Sequence, residues 1–96
     1  MLFEETTGTL LCGDLFSHLG GGPAITTDDV VEPAMQAEAI FHSSCLAPHT
    51  PEVLRRLGDL EPTTLAIMHG SSFRGDGKQA LYDLAARYEE QLSAAA

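Results

Sequence analysis

The hydrophobic pattern predicts two short strands at the start of the chain, one in its second half and three helices. Met1–Thr6 alternates weakly, with Phe3 and Glu5 on one face and Glu4 and Thr6 on the other, as in a half-exposed strand. Thr9–Cys12 is apolar throughout, which suits a strand covered on both faces, and Thr7-Gly8 reads as the hairpin connection between the two. A domain that opens directly on such strands looks truncated. Gly20-Gly21-Gly22-Pro23 forbids regular structure and predicts a surface loop. Neither a Walker lysine nor a strand–loop–helix spacing accompanies these glycines, so a phosphate cradle is not expected. Thr26-Thr27-Asp28-Asp29 offers N-caps for a helix through Ala34–Phe41, with Pro33 tolerated only in its first turn.

Thr50-Pro51-Glu52 is a second helix start, a cap followed by proline at the first helical position. That helix turns Val53, Leu54 and Leu57 inward and stops at Gly58. Glu61-Pro62 leads into an apolar strand, Thr63–Met68. Asp76 and Gln79 resemble a capping box for the last helix, which carries Leu81, Leu84, Ala85, Tyr88 and Leu92 on one stripe. Asp83 and Arg87 are spaced for an i,i+4 ion pair, and residues 93–96 form a fraying tail. The order ββ-α-α-β-α describes an α/β chain with strands for only part of a sheet, a single partial domain over residues 1–96.

Composition narrows the classes. A chain of 96 residues hides roughly 60–68% of its unfolded surface, so the core is modest. With 14 acidic residues against 5 basic ones the net charge is −9, which repels nucleic-acid phosphates and anionic lipid and favours solubility. Cys12 and Cys45 lack any zinc-finger spacing and read as buried free thiols. No apolar run approaches the roughly 20 residues that span a bilayer, and Met1-Leu2-Phe3-Glu4-Glu5 has no basic n-region. A cytoplasmic protein is the simplest expectation.

Two apolar strands end in groups that bind metals. Thr9-Leu10-Leu11-Cys12-Gly13 runs into Asp14, and Leu65-Ala66-Ile67-Met68 runs into His69 and then Gly70. Carboxylate oxygen and imidazole nitrogen suit zinc, manganese and iron, and sites on layered α/β folds favour strand ends. By residue type alone, Asp14 capping its own turn and His69 bonding within its own loop are equally open. His18, four residues after Asp14, is a second-ligand candidate or a solvated loop residue. His42 at a helix end and His49 before Pro51 read as structural. Ser43, Ser44, Ser71 and Ser72 have no acid–base partner that would make a nucleophile. Ser71 and Ser72 instead suit substrate binding or fixing of the loop behind His69. Arg74 and Lys78 are either surface charges or contacts for an anionic substrate.

The wording Thr9-Leu10-Leu11-Cys12-Gly13-Asp14-Leu15-Phe16, followed later by Ala66-Ile67-Met68-His69-Gly70-Ser71, resembles the last two metal-binding motifs of the metallo-β-lactamase superfamily. It is closest to the hydrolase and flavodiiron-like oxygen-reductase branches, and it extends from Leu2 to about Tyr88. The resemblance implies the C-terminal half of an αββα sandwich. Asp14 would bridge two metals and His69 would complete the second, with zinc, iron or manganese as the divalent ion. The family's His-x-His-x-Asp-His motif and its further histidine are not in this sequence, so most ligands of such a site are missing. The expectation is therefore a fragment of a dinuclear hydrolase or di-iron oxidoreductase, inactive alone, with no catalytic residue of its own. Its expected partner is the missing N-terminal half or a second copy, by homodimerisation or domain swapping, because Leu10, Leu11, Leu65 and Ile67 would otherwise be uncovered. The competing expectation is a non-catalytic association module in which Asp14 and His69 are turn residues.

Overall fold

Leu10 and Leu65 are fully buried partners on adjacent parallel strands, and the rest of the chain is arranged around them. A computed structural model describes residues 2–13, 15–16, 22–41, 48–67 and 70–95, with backbone alone at 38–41 and 95. Along the chain lie β1 (Leu2–Glu4), β2 (Thr9–Leu11), β3 (Ile25–Thr26), α1 (Val31–Phe41), α2 (Thr50–Gly58), β4 (Thr64–Ala66), β5 (Ser72–Arg74) and α3 (Gly77–Ala95). The strands form one mixed sheet in the order β1-β2-β4-β5-β3. β1–β2 and β4–β5 pair antiparallel, while β2–β4 and β3–β5 pair parallel. The fold is thus α/β, as the sequence predicts, with two strands more than the pattern shows.

Local chemistry explains most of the boundaries. β1 ends at Glu4 because that carboxylate turns back on the chain, accepting the N–H groups of Thr6 and Thr7 at 3.0 and 2.9 Å. Residues 5 and 6, expected in the strand, are consequently part of the turn. Gly8 sits at φ +66 with its carbonyl accepting the Thr63 N–H at 2.8 Å, and a Cβ there would meet Thr63 Oγ1 at 2.8 Å. Asp29 caps α1 with both oxygens, accepting from Val31 at 2.9 Å and Glu32 at 3.1 Å, and Pro33 falls in the first turn. Asp76 caps α3 through Gln79 N–H at 3.0 Å. The reciprocal half of the box is absent, since the Gln79 amide donates to Asp83 instead.

α2 has the predicted bounds but a different start and stop. Its N-cap is His49, whose side chain makes no capping bond, and Thr50 is already helical. Gly58 does not end the helix by a left-handed turn, because Asp59 beyond it stays near φ −66. A Cβ on Gly58 would lie 2.9 Å from the Tyr82 ring, so this glycine permits close approach of α2 to α3. Val53 faces solvent rather than the core, being 38% exposed, while Leu54 is buried and Leu57 half-buried. Arg87 pairs with Glu32 across to α1 and lies 4.0 Å from Glu90 on its own helix, whereas Asp83, its expected partner, accepts from Gln79. α3 remains helical through Ala95, with Ser93 and Ala94 exposed.

All three helices contribute to a single core on one face of the sheet. Leu10 and Leu65 meet Val31, Ala34 and Met35 of α1, Leu54 of α2, and Leu81, Leu84, Ala85 and Tyr88 of α3. Phe3 and Phe73, in register with Leu10 and Leu65, lean on the same cluster. The opposite face carries Leu2, Leu11 and Ala66 in register, with Ile25 beside Ser72 further along. Leu2, Leu11 and Ile25 are 65%, 43% and 45% exposed. β2 is therefore covered on one face by the described residues, not on both. Leu10, Leu65 and Ile67 are sealed by the chain's own helices, and of the four residues expected to need a partner only Leu11 stays open.

Candidate functional site at the strand exits

β2 and β4 run side by side in the same direction, with Thr9 opposite Thr64, Leu10 opposite Leu65 and Leu11 opposite Ala66. They leave the sheet at one edge, and Cys12 N–H donates to the Ala66 carbonyl at 3.0 Å just as they do so. The antiparallel partners start at that edge, β1 with Leu2 and β5 with Ser72, and β3 starts there beside Ser72. Asp14 and His69 themselves lie outside the described residues, as do His18, His42, Ser43, Ser44 and Cys45.

Around position 14 the backbone is unusual. Gly13 has φ +61, and Phe16 has φ +64 although it is a bulky residue. Non-glycine residues with branched or large side chains avoid this region, and such conformations persist where packing overrides them. Phe16 is held there by burial, with 1% of its surface exposed. Leu15 N–H donates to the Cys12 carbonyl at 3.2 Å, closing the turn. Burial pushes the Cys12 thiol up to about 12, so it stays protonated and unreactive near neutral pH.

Around position 69 the loop is fastened at its ends. Ile67, nearly buried, donates its N–H to Ser72 Oγ at 3.1 Å, and Ser72 N–H donates to the Ala24 carbonyl at 2.9 Å. Ser71 is buried, and a Cβ on Gly22 would lie 2.9 Å from its hydroxyl. The end of the glycine-rich stretch thus abuts the β4–β5 loop, a contact with no signal in the hydrophobic pattern. The serines after His-Gly are the sequence trace of this arrangement.

The remaining candidates separate from this edge. Arg74 lies opposite Thr64, at the far end of β4 from the exit, and is exposed. Lys78 stands over the Tyr82 ring at 5.7 Å in the first turn of α3. His49 is an exposed N-cap on α2. A cleft of about 400 Å³ between α1 and α3, lined by Glu32, Met35, Arg87 and Glu90, lies on the helical side around a surface ion pair and collects no ligand set.

Among the described residues no group of three or more His, Cys, Asp or Glu side chains is placed to hold a metal. Asp14 and His69 are donors of the right kind for a divalent ion, but two protein ligands fall short of the three or four that zinc sites use. Among the described residues no helix is long and apolar enough to cross a membrane. The chain matches no protein-family model, no curated protein and no solved structure in the comparisons made.

Proposed function

We propose that this chain is the C-terminal part of a metallo-β-lactamase-like fold and that Asp14 and His69 contribute to one divalent-metal site. The observation that carries this reading is the parallel adjacency of β2 and β4, whose exits are tied by the Cys12–Ala66 hydrogen bond. Two residues of chain reach at most about 7 Å, and positions 14 and 69 lie two residues beyond Cys12 and Ile67. That short reach supports the reading that both candidate ligands serve one site. Helices on one face and an open apolar row on the other agree in kind with half of a layered sandwich.

In this reading Asp14 supplies carboxylate oxygens, His69 an imidazole nitrogen, and the remaining ligands come from outside these 96 residues. When bound, the metal's part is to make water a nucleophile near neutral pH or to provide a redox centre. The chain by itself is catalytically inert, since its donor set is incomplete. A second reading, a non-catalytic association module, is favoured by one observation, the exposed row Leu2, Leu11 and Ile25. Metal analysis by ICP-MS of the full-length parent protein separates the two. Near-stoichiometric metal that disappears in Asp14→Ala supports the enzyme reading, and a metal-free parent supports the module.

A further inference from the structure

We infer that the open face of the sheet docks a second copy of this chain about a two-fold axis parallel to β2 and β4, with Glu4 of each copy facing the partner's Arg74. The inference rests on the association reading, names its partner, and uses no metal. In register across the sheet, Glu4, Thr9, Thr64 and Arg74 form one row of the open face. Leu2, Leu11 and Ala66 form the next row, with Ile25 and Ser72 further along. Leu2, Leu11 and Ile25 are exposed. Glu4 and Arg74 are the only charged residues on the described strands, and both are exposed. The Glu4 carboxylate accepts three bonds from Thr6 and Thr7, which leaves it acceptor capacity, since an ionised carboxylate has about four such sites.

The placement of charge selects a second copy over a basic or an acidic partner. The chain carries −9 overall, yet Glu32, Glu52, Asp83, Glu89 and Glu90 sit on the helices, which pack against the other face. The strands of the open face carry one positive and one negative charge, at the two ends of a row. Of the five basic residues, Arg55, Arg56 and Arg87 pair with carboxylates and Lys78 stands over Tyr82. Arg74 has no such partner among the described residues, and Glu4 lies three strand spacings away, about 14 Å. In the order β1-β2-β4-β5-β3, β1 and β5 are equidistant from the line between β2 and β4. A two-fold axis along that line sets each Glu4 over the partner's Arg74 and each Leu11 over the partner's Ala66. Facing sheets pack about 10 Å apart, a gap that these two long side chains span together. The strands cover only about 24 by 10 Å, far short of the roughly 800 Å² per partner of a stable complex, so the dimer is weak, with Kd on the order of 10⁻⁴ M.

The test is sedimentation equilibrium of the 96-residue chain up to about 1 mM, well above the expected Kd. The native chain should show a monomer–dimer equilibrium, weakened about 10-fold or more by Leu11→Ser, by Arg74→Glu and by Glu4→Arg. Each charge variant alone puts like charges opposite each other, whereas an equimolar mixture of Glu4→Arg and Arg74→Glu chains makes both facing pairs attractive. That mixture should recover association near the native level, which loss of folding would not produce. Intermolecular NOEs between Leu11 and the partner's Ala66 methyl groups, in a half-labelled native sample, read the same register without any variant. A native chain that stays monomeric at about 1 mM overturns the inference, while the association reading itself is decided by the metal content of the parent protein. A dimer indifferent to Leu11→Ser and Arg74→Glu overturns the choice of face. A dimer that lacks the Leu11–Ala66 contact overturns the two-fold register.

Discussion

Cys12 and Ala66 are joined by a 3.0 Å backbone hydrogen bond one step past the β2–β4 ladder, so two strands separated by more than fifty residues leave the sheet together. This bond holds the two strand exits side by side. It also fixes a prediction for the isolated chain. Zn²⁺ or Mn²⁺ should bind weakly to it and should confer no hydrolytic activity, because two side chains do not close a metal site. Metal-dependent hydrolysis by the pure 96-residue protein, abolished in His69→Ala, would contradict the proposal that most ligands lie elsewhere.

The two faces of β2 and β4 should respond differently to truncation. Leu65 is completely buried among all three helices, so Leu65→Ala should cost about 2–5 kcal/mol in urea unfolding. Leu11→Ser, on the open face, should change stability by no more than about 0.5 kcal/mol in a dilute monomer. A large, concentration-dependent loss for Leu11→Ser would mean that a second copy covers this face in solution.

Gly77 is a second steric test. A Cβ there would lie 2.3 Å from the Pro62 carbonyl oxygen, to which Gly77 N–H donates at 2.9 Å. Gly77→Ala adds helix propensity at the start of α3, yet forces the 61–63 segment away. A loss of about 1–3 kcal/mol is expected from overpacking against backbone. A gain in melting temperature would show that Pro62 yields easily.

Acid should loosen the β1–β2 turn late. Hydrogen bonds from the Thr7 side chain and then from Thr6 and the Thr7 backbone hold the Glu4 carboxyl down to about 2, against an ordinary 4.5. A depressed carboxylate contributes its stability above the ordinary value and loses it as pH falls through the native one. The Glu4 side-chain carbon should therefore titrate near 2 by NMR, with the turn's amide protection fading between about 4.5 and 2. Titration at 4.5 would show that the turn bonds do not persist in water.

Cys12 should be silent to thiol reagents. Its acidity is set by burial, which raises the thiol to about 12. The neutral form is favoured in the fold, so this contribution is complete below about 9 and is lost progressively as pH rises from there through about 12. In a Cys45→Ser background, no reaction with Ellman's reagent is expected at pH 8 until denaturant unfolds the chain. Rapid labelling in buffer would place the β2 exit in contact with solvent.

The helices and β2 and β4 were legible because each carries a long-enough signal. Thr50-Pro51 and Asp76-Gln79 mark starts, and the Leu81–Tyr88 stripe marks a buried face. β3 and β5, of two and three residues, were not legible, since period-two alternation needs more positions than Ile25-Thr26 or Ser72-Phe73-Arg74 supply. β2 misled in the other direction. Leu10-Leu11 reads as covered on both faces, but the described chain has helices enough for one. At the candidate site the residue types were legible, whereas the fastening of Ile67 by Ser72 belongs to the tertiary arrangement.

The left-handed backbone of Phe16 ties its own conformation to the packing around it. A benzyl side chain keeps its main chain in that conformation only while the surrounding core grips it. Softening of the nearby packing therefore releases Phe16 before the sheet itself comes apart. The aromatic ring would leave the core early under heat or denaturant, while circular dichroism still reports a folded chain.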